Sequence, residues 1–228
     1  MTTLPFISRV VLRNFRSIGE CDVRLGPLTY LVGANGAGKS NFVDALHLVT
    51  DALTSSLEQA LNVRGGWAEV RRRSGGHPTH FGVRIEFRVD GTPAHYAFNI
   101  GAVKNRGFEV LAEECSLGGQ GRGPYYRIER GKVVNSSEAT LPALTSDRLA
   151  LVALSGLSAF RPIFDALSLV GQAPEWVPAP RDSRRLSELI ELWNLHHGMQ
   201  LRRKRRADTV LTVWVTGFPN DWMPCAAA

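Results

Sequence analysis

One short stretch, residues 33–40, constrains the fold more than any other part of the sequence. It fits the pattern G-x-x-x-x-G-K-[ST] of a phosphate-binding loop, and its members are Gly33, Ala34, Asn35, Gly36, Ala37, Gly38, Lys39 and Ser40. The β-branched and aromatic run 28–32 before it is typical of a buried strand. Apolar residues follow it at spacings of three and four, as on one face of an α-helix: Phe42, Leu46, Val49, Leu53 and Leu57. The flanks therefore match the strand, turn and helix that such a loop requires.

The residue types of this stretch suit the binding of a nucleotide. Gly33, Gly36 and Gly38 allow positive φ angles and a close approach of the backbone to phosphate. Backbone N–H groups at the start of the helix then point towards the anion. By the mechanism of the motif, Lys39 would reach the β- and γ-phosphates, and the Ser40 hydroxyl would bind Mg²⁺. The alternative is a glycine-rich turn that merely starts a helix.

Composition indicates a soluble, globular protein. The chain of 228 residues is 44% hydrophobic and 21% charged, and it can bury a sizeable core. Its three cysteines form no metal-binding spacing, and an odd, sparse set fits a reducing cytoplasm. The first residues carry no signal-peptide pattern, and the longest apolar run, 149–160, is too short to span a bilayer. We therefore expect a cytoplasmic protein.

The basic charge of the chain leaves two interpretations open. The formal net charge is +6 and the isoelectric point is near 9.6, which is compatible with a nucleic-acid partner without establishing one. Two arginine-rich runs, 71–73 and 202–206, could contact the phosphates of a nucleotide or of DNA. The alternative for both runs is a solvated loop or tail.

A second set of residues carries a resemblance to a known family. An apolar strand ends in Asn-Phe-Arg-Ser at 14–17, the loop contains Asn35, and Asn41 precedes the helical run Phe-Val-Asp-Ala-Leu at 42–46. This arrangement resembles the head domain of ABC-type ATPases, in the group that contains the structural-maintenance-of-chromosomes proteins, the recombination protein F family and bacterial AAA family ATPases. The resemblance implies that Arg16 lies close to bound nucleotide and that Asn41 belongs to the nucleotide-binding set. From the residues alone, Arg16 could also be a surface arginine at a strand end.

The resemblance also implies a reaction and partners. The nucleotide would be ATP with Mg²⁺, the activity would be ATP hydrolysis, and ATP would join two heads into a head-to-head homodimer. DNA repair, DNA handling or phage defence would be the setting, with DNA as a partner.

The rest of the pattern predicts an α/β fold: a P-loop NTPase core with an antiparallel β-subdomain and a C-terminal helical segment. Apolar and polar residues alternate after residue 80, with a turn at Asp90-Gly91. Five strands are predicted in this region: 81–89, 94–100, 108–117, 125–128 and 132–134. From residue 141 the pattern becomes helical. A meander of this kind argues against a small-molecule P-loop kinase, whose fold is built from parallel βα units.

The pattern breaks near residue 170 and divides the chain into two predicted parts. Residues 1–170 read as the N-terminal part of a P-loop ATPase head. Residues 171–228 read as a divergent tail that is either out of frame or disordered, and they hold every tryptophan except Trp67. A divergent but genuine C-terminal segment would look similar.

The acids that hydrolysis requires are not recognised in this sequence. Hydrolysis needs one acid that holds Mg²⁺ through water and a second that orients the attacking water, yet no apolar strand ending in two acids follows Ser40. The run Ser-Leu-Gly-Gly-Gln at 116–120 has its first two residues in the wrong order for a signature loop and is predicted as a hairpin loop. Catalytic residues are therefore unknown. The alternative function is a truncated, non-catalytic nucleotide-binding or interaction module without Walker B and signature motifs.

Overall fold

In the computed structural model, the described residues are 6–26, 28–31, 36–73, 78–103, 107–119, 122–170, 177–178 and 212–215. Strands and helices follow one another among them in this order: β1 (Phe6–Phe15), β2 (Ile18–Arg24), β3 (Leu28–Leu31), α1 (Lys39–Thr54), α2 (Leu57–Asn62), α3 (Trp67–Val70), β4 (His80–Val89), β5 (Thr92–Val103), β6 (Gly107–Leu117), β7 (Tyr125–Glu129), β8 (Lys132–Ser136), α4 (Ala150–Leu154), α5 (Arg161–Val170), β9 (Val177–Pro178) and β10 (Thr212–Val215).

Seven strands form one antiparallel sheet in the order β2-β1-β4-β5-β6-β7-β8. Two-residue turns join β4 to β5 and β7 to β8, at Asp90-Gly91 and Arg130-Gly131. All four turn residues have positive φ angles, which match the right-handed twist of the flanking strands. The predicted antiparallel meander is confirmed.

The first hairpin differs from the prediction. The pattern predicts one strand before the strand that leads into the loop, whereas the structure has two, because residues 18–24 pair with β1 as β2. The strand was hard to recognise because it lies at the sheet edge, where Cys21 and Val23 are only half-buried. Since β1 also pairs with β4, this hairpin and the meander form one continuous sheet.

The helices pack with the sheet around one hydrophobic core. Helix α1 contributes the predicted apolar face, and the Thr50 hydroxyl donates a hydrogen bond of 3.1 Å to the Leu167 carbonyl of α5. The pattern predicts one helix to about residue 61, loosened at 54–56. In the structure this loosening is a complete break, because the Ser56 hydroxyl accepts a hydrogen bond from Gln59 N and caps a separate helix, α2.

A buried carboxylate joins the sheet to the helical segment. Glu113 of β6 accepts hydrogen bonds from the hydroxyls of Tyr96 (3.0 Å) and Tyr126 (2.7 Å). It also accepts hydrogen bonds from the backbone N–H groups of Ala150 and Leu151, which begin α4. Because Leu149 at the N-cap position supplies no side-chain oxygen, Glu113 takes over the role of the helix cap.

The strand predicted before the loop is present as β3. Its backbone pairs antiparallel with β10, which also pairs with β9, and the three strands form a second sheet. The fold class is the predicted α/β type, and α4 and α5 form the C-terminal helical segment. Within the described part of the chain, no helix is long and apolar enough to cross a membrane.

Candidate nucleotide-binding site

The second half of the loop has the backbone that a phosphate site needs. Gly36 and Gly38 have φ angles of 81° and 93°, the left-handed region that glycine adopts without strain. Helix α1 begins at Lys39, directly after Gly38, whose carbonyl accepts the first helical hydrogen bond from Phe42 N at 2.8 Å. Gly33, Ala34 and Asn35 lie outside the described residues.

The start of α1 offers backbone donors to an anion. In the part of the chain that the structure describes, no side chain caps this helix, and its first turn contains no acidic residue. The N–H groups and the positive end of the helix dipole therefore face the loop. Among the described residues, a Cβ placed on Gly36 would meet no atom within 4 Å, so the described part of the loop is open on that side. Lys39 is half-buried and Ser40 is exposed at this end of the helix.

The tip of the β1–β2 hairpin forms a wall beside the loop. A Cβ on Gly38 would lie 3.3 Å from Ile18 Cγ1 and 3.4 Å from Ser17 Oγ. The Asn41 side-chain amide donates a hydrogen bond of 2.7 Å to Ser17 Oγ and so attaches the hairpin tip to α1. This contact gives Asn41 a structural role at the predicted site.

Arg16 extends from this hairpin tip towards α1. Its φ angle of 47° is unusual for a residue with a side chain. Its Nε lies 2.8 Å from Asp44 Oδ2, and both side chains are about a third exposed. Within the described residues neither atom has an aligned hydrogen-bond partner, so the contact is one between charges.

Asp44 also contacts a second arginine, Arg64, whose position at this site no sequence pattern predicts. Arg64 donates a hydrogen bond of 2.9 Å from Nε to Asp44 Oδ1 and one of 2.7 Å from Nη2 to Asp51. It donates a third, of 2.8 Å, to the Ala60 carbonyl, and its side chain is only 7% exposed. The position of Asp44, one helical turn after Ser40, could have suggested a role, but the approach of Arg64 depends on the chain reversal between α1 and α2.

The arginine run 71–73 is engaged in local contacts. Arg71 donates a hydrogen bond of 3.1 Å to the Pro78 carbonyl, and Arg73 forms an ion pair with Glu69. The Arg72 guanidinium occupies the space that a Cβ on Gly19 would need. These contacts favour the solvated structural loop over a phosphate-binding one. The run 202–206 lies outside the described residues.

The donors at the loop fit the phosphates of Mg²⁺-ATP, whereas the described part of the chain supplies few ligands for the metal itself. Open glycine backbone, an uncapped helix start, Lys39 and the Ser40 hydroxyl suit the phosphates and their metal. The described residues contain no group of three or more His, Cys, Asp or Glu side chains that could hold a metal by itself. Asp44 and Asp51, the acids of α1, are both paired with arginine. A metal here would therefore depend on Ser40 and on the nucleotide.

Replacing Gly38 with alanine should destabilise the protein. We expect Gly38→Ala to lower the free energy of unfolding by about 1–2 kcal/mol, because a side chain is strained at positive φ, and somewhat more because Ile18 must shift. Urea denaturation measures this change. Gly36→Ala is the matched control, since Gly36 has a similar φ angle and a Cβ there would meet no described atom within 4 Å. Equal losses for the two variants would show that the hairpin contact contributes nothing.

Comparison with known proteins gives a family and several short local similarities. The profile of the family described as "AAA domain" matches residues 9–174. An OLD nuclease of Thermus scotoductus is 43% identical over 51 residues, which are 22% of this chain and 10% of that protein. The DNA replication and repair protein RecF of Vibrio vulnificus is 39% identical over 44 residues, 19% of this chain and 12% of that protein. The chain therefore matches only about a tenth of the length of these relatives.

Solved structures of the recombination mediator protein RecF, with ATP and with ATPrS, also show some likeness. Each covers 52% of this chain and 28% of the RecF chain, with a TM-score of 0.36 and sequence identities of 19% and 17%. The family match to an AAA domain, together with the RecF and OLD nuclease relatives, confirms the predicted resemblance to ABC-type and AAA family ATPase heads.

Proposed function

The chain belongs to the AAA-domain family, and on that premise we propose that it binds Mg²⁺-ATP through residues 33–40, as an ATPase of the chromosome-maintenance and recombination type. The observation that carries this proposal is the start of α1. There, two glycines with positive φ angles lead into a helix whose first N–H groups have no side-chain cap among the described residues.

Each predicted site residue has a role in this proposal. The backbone of residues 33–38 surrounds the phosphates, Lys39 neutralises the β- and γ-phosphates, and Ser40 binds Mg²⁺. Asn41 holds the hairpin tip through Ser17, and Arg16 at that tip contacts a phosphate. ATP is preferred to GTP on family resemblance alone.

A second candidate function is nucleotide binding without hydrolysis. The acids of α1 support it, because Asp44 and Asp51 are committed to arginines and are not available to orient water. By this alternative, the chain is a non-catalytic nucleotide-binding or interaction module, and residues 1–170 supply one part of an ATPase head. Phosphate release from ATP distinguishes the two, because hydrolysis yields phosphate and binding alone does not.

The wider setting follows from the relatives. One is named as a nuclease and another as a DNA replication and repair protein, and we extend from them a role in DNA repair or defence with DNA as a partner. Two copies would meet head to head across the nucleotide. A cytoplasmic location fits the sparse cysteines. Residues 171–228 would be a divergent tail, of which β9 and β10 form a sheet with β3.

A calorimetric titration of the purified chain with ATP tests the proposal. We expect saturable binding in the presence of Mg²⁺ and weaker binding after the metal is removed with EDTA. Ser40→Ala should weaken binding about tenfold with Mg²⁺, which corresponds to about 1.4 kcal/mol, and should have little effect in EDTA. Absence of saturable binding by the wild type would overturn the proposal, and an equal effect of Ser40→Ala in both conditions would remove the metal role.

A further inference from the structure

We propose that Arg64 is a positioning residue for nucleotide binding: it holds Asp44 as a permanent counter-ion, so that Arg16 can leave Asp44 for a nucleotide phosphate. This inference rests on the proposed function. Its basis is that two guanidinium groups share one carboxylate, with Arg16 Nε 2.8 Å from Asp44 Oδ2 and Arg64 Nε 2.9 Å from Oδ1.

The two arginines hold Asp44 in different ways. Arg64 is almost fully buried and donates three aligned hydrogen bonds, to Asp44, to Asp51 and to the Ala60 carbonyl. Arg16 is 31% exposed, and its contact with Asp44 includes no aligned hydrogen bond. The charge contact of Arg16 is therefore the weaker one, and Arg16 is the group that can exchange partners.

Charge balance explains why the second arginine is needed. If Arg16 were the sole partner of Asp44, its departure would leave a partly buried carboxylate without a counter-ion, which is strongly unfavourable. Because Arg64 remains hydrogen-bonded to Asp44, the carboxylate keeps a cationic partner after Arg16 moves. The second carboxylate that Arg64 holds, Asp51, is 43% exposed to solvent. The backbone of the hairpin tip need not move, since Ser17 is held by Asn41. Only the Arg16 side chain has to turn towards the loop.

Removing the Asp44 charge is the first test. With Mg²⁺-ATP as the titrant, we expect Asp44→Asn to tighten binding about fivefold, a size typical of coupled charges, because Arg16 no longer has a competing partner. The gain should disappear in the Arg16→Ala background. Asp51→Asn is the matched control, since within the described residues its carboxylate pairs with Arg64 and not with Arg16, and it should change affinity less than twofold. A gain that persists without Arg16, or weaker binding by Asp44→Asn, would overturn the proposal.

Removing Arg64 is the second test. We expect Arg64→Met to weaken ATP binding about tenfold, because Arg16 is then retained by Asp44 as its remaining partner. The double variant Arg64→Met with Asp44→Asn should recover the affinity, and Arg64→Met should have no further effect when Arg16 is already alanine. If Arg64→Met weakens ATP binding by the same factor with and without Arg16, Arg64 acts on the stability of the fold and not through Arg16. If Arg64→Met does not fold, Arg64→Lys takes its place and should show the same dependence on Arg16, because one ammonium group cannot hold Asp44, Asp51 and the Ala60 carbonyl as the guanidinium does.

The two proposals fail in different ways. If the wild type does not bind ATP, or binds it as well after Lys39→Ala, the proposed function itself is wrong. If the wild type binds ATP and Lys39→Ala does not, but Arg16→Ala leaves the affinity unchanged, the nucleotide site stands and the role of Arg64 is overturned.

Discussion

Replacing Lys39 with alanine should weaken Mg²⁺-ATP binding by on the order of a hundredfold, which corresponds to about 3 kcal/mol. Lys39 is the first residue of α1, at the end of the helix where the backbone N–H groups also face the loop. By the proposed function, an ammonium group there would form charge-assisted hydrogen bonds to two phosphates, and such bonds are about twice as strong as neutral ones. The backbone donors that remain after the substitution cannot supply a full positive charge.

The fold should tolerate this substitution, so that the loss can be assigned to binding. Lys39 lies at a helix start and is not part of the buried core, and alanine is the best helix former. Lys132→Ala is the matched control, because Lys132 is exposed on β8 and the seven-stranded sheet separates β8 from the β1–β2 hairpin. It should bind ATP as the wild type does.

Calorimetry gives the affinities, and thermal denaturation gives an independent measurement. A ligand that binds only the native state stabilises it and raises the melting temperature. The stabilisation grows with the logarithm of the ratio of ligand concentration to Kd. Millimolar ATP should therefore stabilise the wild type and Lys132→Ala and leave Lys39→Ala almost unchanged. Equal stabilisation of all three proteins would place the nucleotide elsewhere, or show that binding does not depend on the loop.

The sequence predicted those parts of the fold that local chemistry determines. The meander is recognisable because Asp-Gly and Arg-Gly turns separate alternating runs, and such turns determine how the adjacent strands pair. Strand β2 was missed because an edge strand buries little, so its alternation is weak. The break before α2 was only partly predicted, since Ser56 can cap a helix or continue one, and the choice depends on packing.

The candidate site likewise contains residues that the sequence predicts and residues that only packing brings together. The motif identifies Lys39, Ser40 and the glycines because these residues are neighbours in the chain, so that their spacing alone determines how the loop places them. The pairing of Arg64 with Asp44 joins residues twenty apart through a chain reversal. Nothing in the local pattern distinguishes this buried arginine from a solvated one, because the interaction exists only after α1 and α2 have packed together.

Glu113 is another residue whose importance comes only from packing, and its removal should have the largest effect on stability. Glu113→Ala should lower the free energy of unfolding by about 4 kcal/mol, because it leaves buried donors on Tyr96, Tyr126 and the start of α4 without an acceptor. Burial raises the pKa of both tyrosines, so their hydroxyls stay protonated and need that acceptor. A typical domain has only about 5–15 kcal/mol in total.

Urea denaturation at neutral pH measures the loss, with Glu129→Ala as the matched control. Glu129 lies on the neighbouring strand β7 but is exposed, and its removal should change stability by less than about 0.5 kcal/mol. Similar losses for both variants would mean that the buried network contributes no more than a surface ion pair. Hydrogen exchange should show in addition that α4 loses protection in Glu113→Ala, because its capping acceptor is gone.

The pH dependence supplies a separate test of the same carboxylate. Burial raises the pKa of Glu113 above its ordinary value of 4.5, although the four hydrogen bonds that it accepts act against this shift. The native state therefore holds the Glu113 proton more tightly than the unfolded chain does. The contribution of this group to stability is complete below pH 4.5 and falls as the pH rises through the native pKa.

Glu113→Gln cannot titrate, so the difference in stability between wild type and Glu113→Gln should change with pH only across that window, in the direction that disfavours the wild type as pH rises. A difference that is constant with pH would show that the pKa of Glu113 is the same in the native and unfolded states.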